Sequence, residues 1–344
     1  MRLLNASTYE FMDCMTAIET PPYAILSHTW GREEVEYVHL RDGVTSKVKE
    51  MKGFEKIQNT CVQSIKDGLS YCWIDTCCID KGSSTELSEA INSMFRWYSE
   101  TAVCYAFLGD VESRSETEWK TARWFTRGWT LQELLAPSVL RFYGKGWDFL
   151  GTIHDVYKLV SSITGIDEPV LRGEQTLVSV CAAKRLSWAS RRSTNKDEDL
   201  AYSLLGLFDI NMDMRYGEGT KAFVRLQEEI LRATGDLTVL AWEYQLGEHL
   251  VDQASLFAPT PMHFSACGDF TSTKSASSSD VLEITPTGIR LKLSVREVSS
   301  NVSLGRKAGK RAVLPCYREE TPTHKLTLSI HENIDVQGSK PYIS

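Results

Sequence analysis

The sequence predicts an α/β fold: a parallel sheet with helices on its faces. Three observations predict it. Short apolar runs bounded by turn residues recur at 23–26, 71–75, 102–108 and 139–143. Between them, apolar residues fall at helical spacing: Phe54, Ile57, Cys61, Ile65 and Leu69, then Leu87, Ile91, Met94, Phe95 and Tyr98. Strand and helix therefore alternate through residues 23–143, the pattern of parallel strands joined by crossover helices.

Taken in order, residues 1–22 read as a lead-in closed by Pro21-Pro22. Tyr23 to Leu26 is a buried strand, and Ser27-His28-Thr29-Trp30-Gly31 its polar end. A charged stretch follows, with a short strand expected at Val35 to Leu40. Tyr71 to Asp75 is the second strand and Thr76 to Lys81 a loop. Ser84 or Thr85 caps the second helix. Ala102 to Leu108 is the third strand, ended by Gly109-Asp110, and Val139 to Tyr143 the fourth. In such sheets ligands bind outside the carboxyl ends of the strands. Ser27 to Trp30 and Asp75 to Asp80 would then share one rim.

After residue 150 the pattern changes. Ile153 to Ile163, Val178 to Ala189, Glu198 to Phe208 and Lys221 to Ala233 read as helices, with Arg191-Arg192 in a solvated loop. From Leu237 onward short strand-like runs dominate: Leu237 to Trp242, Val281 to Ile284, Ile289 to Val295, Ala312 to Cys316 and Leu326 to Ile330. Ser272 to Ser279 is a low-complexity interruption. The expected divisions are 1–150 (α/β domain), 151–235 (helical subdomain) and 236–344 (β-rich accessory region).

Composition narrows the function classes. The net charge of −7 gives no global attraction for nucleic acid. No apolar run reaches membrane-spanning length, and Met1 to Ala6 lacks the apolar core of a signal peptide. Nine cysteines without framework spacing point to reduced thiols and a cytoplasmic setting. No Gly-x-x-x-x-Gly-Lys-Ser/Thr occurs, so the chain carries no P-loop.

The stretch around which the rest is organised is Arg127-Gly128-Trp129-Thr130-Leu131-Gln132-Glu133-Leu134-Leu135-Ala136-Pro137. It reads as a short helix entered through Gly128 and stopped by Pro137. Leu131, Leu134 and Leu135 share one side. Trp129 and Glu133, four apart, are expected on the other, facing a cleft or solvent.

Three segments together resemble the signature blocks of the fungal heterokaryon-incompatibility (HET) domain: Tyr23 to Gly31, Tyr71 to Lys81, and Arg127 to Pro137. Glu86 to Tyr98 and Arg185 to Glu228 are similar too, most of all to members that precede a nucleotide-binding NACHT module and WD repeats. The HET domain is in turn similar to the Toll/interleukin-1 receptor (TIR) domain, a flavodoxin-like parallel sheet whose enzymes cleave NAD. Trp129 and Glu133 keep the Trp-Cys-x-x-Glu spacing of that domain, with Thr130 in place of Cys. The resemblance implies that Glu133 is the catalytic carboxylate of an NAD(P) glycohydrolase. It also implies no cofactor beyond NAD or NADP as substrate, a homo-oligomer on activation, a NACHT/STAND-type regulatory partner or domain, and a part in cell death.

Cleaving the nicotinamide–ribose bond builds positive charge on the ribose, which a carboxylate stabilises in a dry, aromatic-walled site. Expected substrate-binding residues are His28, Trp30, Asp75, Asp80, Arg127 and Trp129, with Arg32 or Lys81 offsetting the acidic rim. Each has a plainer role: His28 as a structural hydrogen-bonder, Asp75 as a turn cap, Asp80-Lys81 as a surface turn, Trp30 as core. Two other functions compete: a non-catalytic HET self-association module, and a hydrolase using Cys77 or Cys78 with His28.

Overall fold

The computed structural model describes residues 1–16, 18–243, 256–272, 283–285, 288–290, 294–298, 309–319 and 325–330. These fall into two compact units: 1–176 with 192–215, and 177–191 with 216–344.

The first unit is built on a seven-stranded sheet. Its strands are β1 (Arg2–Asn5), β2 (Phe11–Asp13), β3 (Tyr23–His28), β4 (Tyr71–Ile74), β5 (Val103–Phe107), β6 (Leu140–Tyr143) and β7 (Phe149–Thr152). The spatial order is β2-β1-β4-β3-β5-β6-β7. The four expected strands, β3 to β6, pair in parallel. In chain order they lie 2-1-3-4, the doubly wound arrangement whose switch point falls between the first and third strands. That point is β3 beside β5, in register from Ala24↔Val103 to His28↔Phe107.

β1, β2 and β7 add antiparallel edges that the periodicity did not announce. Each is three or four residues long and only partly buried, too short for alternation to show. β3 is two residues longer than expected: Ser27 and His28 stay in the ladder and are fully enclosed.

The helices are α1 (Tyr37–Leu40), α2 (Ser46–Glu50), α3 (Phe54–Lys66), α4 (Asp75–Cys78), α5 (Ser84–Glu100), α6 (Glu116–Thr121), α7 (Thr130–Leu135), α8 (Ile153–Thr164) and α9 (Glu168–Leu171). Of the stripes read from spacing, α3 buries Phe54, Ile57 and Cys61 but leaves Ile65 exposed and ends before Leu69, and α5 buries Ile91, Met94 and Tyr98 with Leu87 and Phe95 half-buried; Trp97 is buried as well. Ser83 caps α5, accepting from the Glu86 N–H, one residue before the expected cap. The strand expected at Val35 to Leu40 is instead the single turn α1, where Glu36 and His39 form a reciprocal capping pair. The loop expected after Asp75 is the turn α4. Trp73, Trp119 and Trp124 are fully buried, so most of the tryptophan load is core. α11 (Asp199–Tyr202) closes this unit, and Gly206 packs its backbone against the Phe95 ring of α5.

The second unit holds α10 (Ala182–Ser187) and α12 (Lys221–Thr234). Residues 237–240, expected as a strand, form a 3-10 turn because the Asp236 carboxylate accepts from the Thr238 N–H and starts a helical turn there. Six short strands follow: β8 (Phe270–Ser272), β9 (Glu283–Thr285), β10 (Gly288–Arg290), β11 (Ser294–Val298), β12 (Gly309–Arg318) and β13 (Lys325–Ile330). β12 pairs antiparallel with β11, β13 and β8, and β9 with β10. The low-complexity run after Ser272, and residues 281, 282 and 291–293 of the expected strands, lie outside the described residues. Among the described residues no helix is long and apolar enough to cross a membrane.

Candidate functional site

Glu133 lies inside the first unit, not on its surface. Thr130, Leu131, Gln132, Glu133 and Leu134 are all buried, and Glu133 keeps 5% of its surface. The expected open face of α7 is therefore a second packed face, while Trp129 is half-buried at the helix start. β3 and α5 pack on that face, with Ser27 and Tyr98 at the carboxyl. At the helix entry the Gly128 N–H donates to the Ser193 carbonyl at 2.9 Å, and a Cβ at Gly128 would lie 2.5 Å from Thr194 Cγ2, so the 193–194 segment lies against that entry.

The Glu133 carboxyl meets a polar network. Ser27 Oγ donates to Glu133 Oε2, and Trp124 Nε1 donates to Ser27 Oγ at 2.8 Å. The Tyr98 hydroxyl, which donates to the Leu26 carbonyl at 3.0 Å, is beside the same carboxyl. Arg192 Nη1 donates to the Arg127 carbonyl (2.8 Å) and Thr130 Oγ1 (2.9 Å), setting a buried cation near Glu133. Arg192 thus departs from the solvated loop expected of it; only Arg191 is exposed. Burial, with the nearby Asp75 charge, pushes the Glu133 carboxyl up from 4.5 to about 8. Burial likewise lowers Arg192 to about 9, against the opposing pull of Glu133. Near neutral pH the carboxyl is mostly protonated and the guanidinium charged.

The rim holds a second cluster. Successive side chains of a strand point to opposite faces, so Ser27 turns to Glu133 while His28 turns to Glu34 and Asp75. His28 Nδ1 lies 3.7 Å from Asp75 Oδ1, and Nε2 lies 4.0 Å from Glu34 Oε2. Among the described residues neither ring nitrogen has a hydrogen-bond partner. Burial first, then Lys56 and Lys81, hold the ring neutral. Asp75 Oδ2 accepts from Trp30 Nε1 at 2.7 Å, and Lys81 Nζ stands 3.6 Å over the Trp30 ring. Trp30 is 41% exposed, so it is a wall of the rim and not core.

At the switch point beside this cluster opens a cleft of about 390 Å³. The segment after β3 (Thr29 to Glu34), the start of α3 (Lys52 to Asn59) and the end of β5 (Phe107 to Asp110) form its walls. Arg123 and Lys145 complete it. Glu133 does not line it.

The structure thus brings His28, Trp30, Asp75 and Lys81 together and sets Glu133 one strand position behind them. Asp80 is apart: its carboxylate accepts from the Gly82 N–H at 2.9 Å in a turn. Arg127 pairs with Asn195 Oδ1 at 3.1 Å and does not line the cleft. Ser27, Tyr98, Trp124, Glu34 and Arg192 are site residues that spacing did not single out. A polar Ser inside an apolar strand was the one available signal. All nine cysteines are free and buried, and burial pushes the Cys77 thiol well up, away from the thiolate that a cysteine nucleophile needs. Among the described residues no group of His, Cys, Asp or Glu has metal-site geometry.

Comparison with known proteins agrees with the signature blocks. Residues 23–121 match the family described as heterokaryon incompatibility protein (HET). The chain is 45% identical over 233 residues to vegetative incompatibility protein HET-E-1 of Podospora anserina. That match covers 64% of this chain and 17% of the relative, so the chain spans a small part of that protein's length. No solved structure matches the chain. The matched segment 23–121 holds the first two signature blocks, on β3 and β4, and the third, at the buried Glu133 helix, lies beyond it; over that segment the chain is similar to the HET domain family.

Proposed function

We propose that the chain is an effector module of fungal heterokaryon incompatibility, and that its chemistry is cleavage of the nicotinamide–ribose bond of NAD or NADP by Glu133. The observation that carries this reading is the carboxyl itself. An acid with a pKa near 8, held in a core by Ser27 and Tyr98 at the Trp-x-x-x-Glu position, is costly to bury. Groups perturbed this far cluster at functional sites. The four parallel strands in 2-1-3-4 order are consistent with a TIR-like sheet, with Glu133 on the helix after its third strand.

In the form described, Glu133 is latent. Ser27 occupies one oxygen, and the carboxyl is mostly protonated at neutral pH. Activity requires α7 to shift so that the carboxyl ionises and meets a ribose. Self-association, driven by a NACHT-type regulatory domain or partner, supplies that shift in this reading. Trp30, His28 and Asp75 then form the near wall of the substrate site.

A second reading, a non-catalytic module that signals by self-association, is favoured by the same burial, because a sealed carboxyl leaves no room for a sugar. Nicotinamide release from NAD separates the two. Wild type and Glu133→Gln are compared as monomers and as oligomers enforced by a fused trimeric coiled coil. Release only from the wild-type oligomer supports the enzyme. Silence from every form removes it and leaves the scaffold.

A further inference from the structure

The switch-point cleft stands apart from Glu133. Three of its cations, Arg32, Lys52 and Arg123, make no ion pair among the described residues, and all three are exposed. The other two are occupied: Lys56 Nζ with Glu34 Oε1 at 2.5 Å, and Lys145 Nζ with Glu112 Oε1 at 2.8 Å. Its carboxylates are partly used as well. Glu34 accepts from the Gly31 N–H besides Lys56, and Asp110 accepts from the Arg123 N–H at 2.9 Å. Among the described residues, its remaining carboxylates, Glu33 and Glu55, make no ion pair, and both are exposed. On a chain of net charge −7, a lining of five Lys and Arg against four Asp and Glu is a local reversal of sign.

The backbone favours the same ligand. The 13-residue helix α3 starts in the cleft wall, and its N-cap, Gly53, offers no side chain to the first N–H groups. A Cβ at Gly53 would lie 2.8 Å from the Glu33 carbonyl oxygen and 2.9 Å from the Val35 nitrogen, so the 33–35 segment lies directly against the helix start. A helix N-terminus beside unpaired cations at a switch point attracts a multiply charged oxyanion. The volume is within the range that holds a small ligand.

We propose that this cleft binds the phosphoryl group of a small phosphorylated ligand. Arg32, Lys52 and Arg123 hold the charge, and Thr29 and Asn59 supply neutral hydrogen bonds. The site is on the His28 side of β3, away from the Ser27–Glu133 network, and it stands whether or not Glu133 cleaves NAD.

The test is calorimetric titration of the whole chain at low salt with AMP, inorganic pyrophosphate and adenosine. Saturable binding of AMP or pyrophosphate is expected, with none for adenosine. The doubly substituted Arg32→Ala, Lys52→Ala chain should bind at least about tenfold more weakly while melting at the wild-type temperature, since both side chains are exposed. Tighter binding of AMP identifies a nucleotide as the source of the phosphoryl group; tighter binding of pyrophosphate identifies the free anion. Adenosine binding as tightly as AMP overturns the proposal. So does the absence of saturation with either anion, or unchanged affinity in the double variant. Glu133→Gln should bind as wild type does, which keeps this result separate from the fate of the NAD-cleaving reading.

Discussion

The sealed state of Glu133 can be read from how folding depends on pH. Its carboxyl titrates near 4.5 when unfolded and near 8 in the fold. Above 4.5 the unfolded chain has released a proton that the folded chain keeps. Stability from this group is therefore greatest below 4.5 and is lost as pH rises toward 8. His28 has the opposite sign. Its ring is held neutral in the fold, so its contribution is complete above its ordinary 6.5 and lost as pH falls below it. Half-buried Asp75, raised by burial, shares the sign of Glu133. Between 6.5 and 8 the His28 part is constant, and one differential proton gives about 1.4 kcal/mol per pH unit, or about 2 kcal/mol across the window. Urea unfolding followed by tryptophan fluorescence, at several pH values, measures it. Glu133→Gln keeps the shape and an acceptor for Ser27 but cannot titrate, so its slope in this window should fall well below that of wild type. The difference between the two profiles isolates Glu133 from Asp75. Equal slopes in the two proteins would mean that the carboxyl is solvated, and the latent reading would fail with it.

Two other substitutions probe the frame around that carboxyl. Gly206→Ala sets a Cβ 2.0 Å from Phe95 Cβ; overpacking of this kind costs about 1–3 kcal/mol or more, visible as a lower urea midpoint with unchanged slope. Trp124→Phe removes the N–H that donates to Ser27 Oγ while keeping most of the ring; a lost buried hydrogen bond costs about 1–3 kcal/mol. If Trp124→Phe leaves the midpoint unchanged, Ser27 does not depend on that donor and the network is smaller than drawn.

The parallel core was legible because two signals agreed. Apart from Ser27, His28 and Arg141, β3 to β6 are short and apolar, as strands covered on both faces are, and α3 and α5 between them are long enough for a stripe to show. The edges were not legible. β2 and β7 each have a free side, and β1 joins the parallel strands only through β4, far along the chain. Val35 to Leu40 shows the same limit: apolar residues at 35, 38 and 40 suit a strand or a turn of helix, and the Glu36–His39 capping pair decided it. Arg192 was illegible for another reason. A guanidinium enters a core only where acceptors await it, and the Arg127 carbonyl, 65 residues earlier, and the Thr130 hydroxyl come from a helix entry far along the chain.

Glu133 is where local reading fails most and where the chemistry concentrates. α7 has six residues, fewer than two turns, so a leucine stripe fixes one side and says nothing of the other. Ser27 of β3 and Tyr98 of α5 cover that other side, and sequence spacing holds no trace of them. Once covered, the carboxyl gives the fold little that an amide would not. Gln at this position would accept from Ser27 equally well and carry no titratable proton into the core. In the catalytic reading proposed above, the acid acts in a state where it ionises. In that state the Arg192 charge and the Tyr98 hydroxyl, now packed around it, would stabilise the carboxylate. The network that hides Glu133 is thus also composed of groups that would support it once opened. A structural core residue would need neither property.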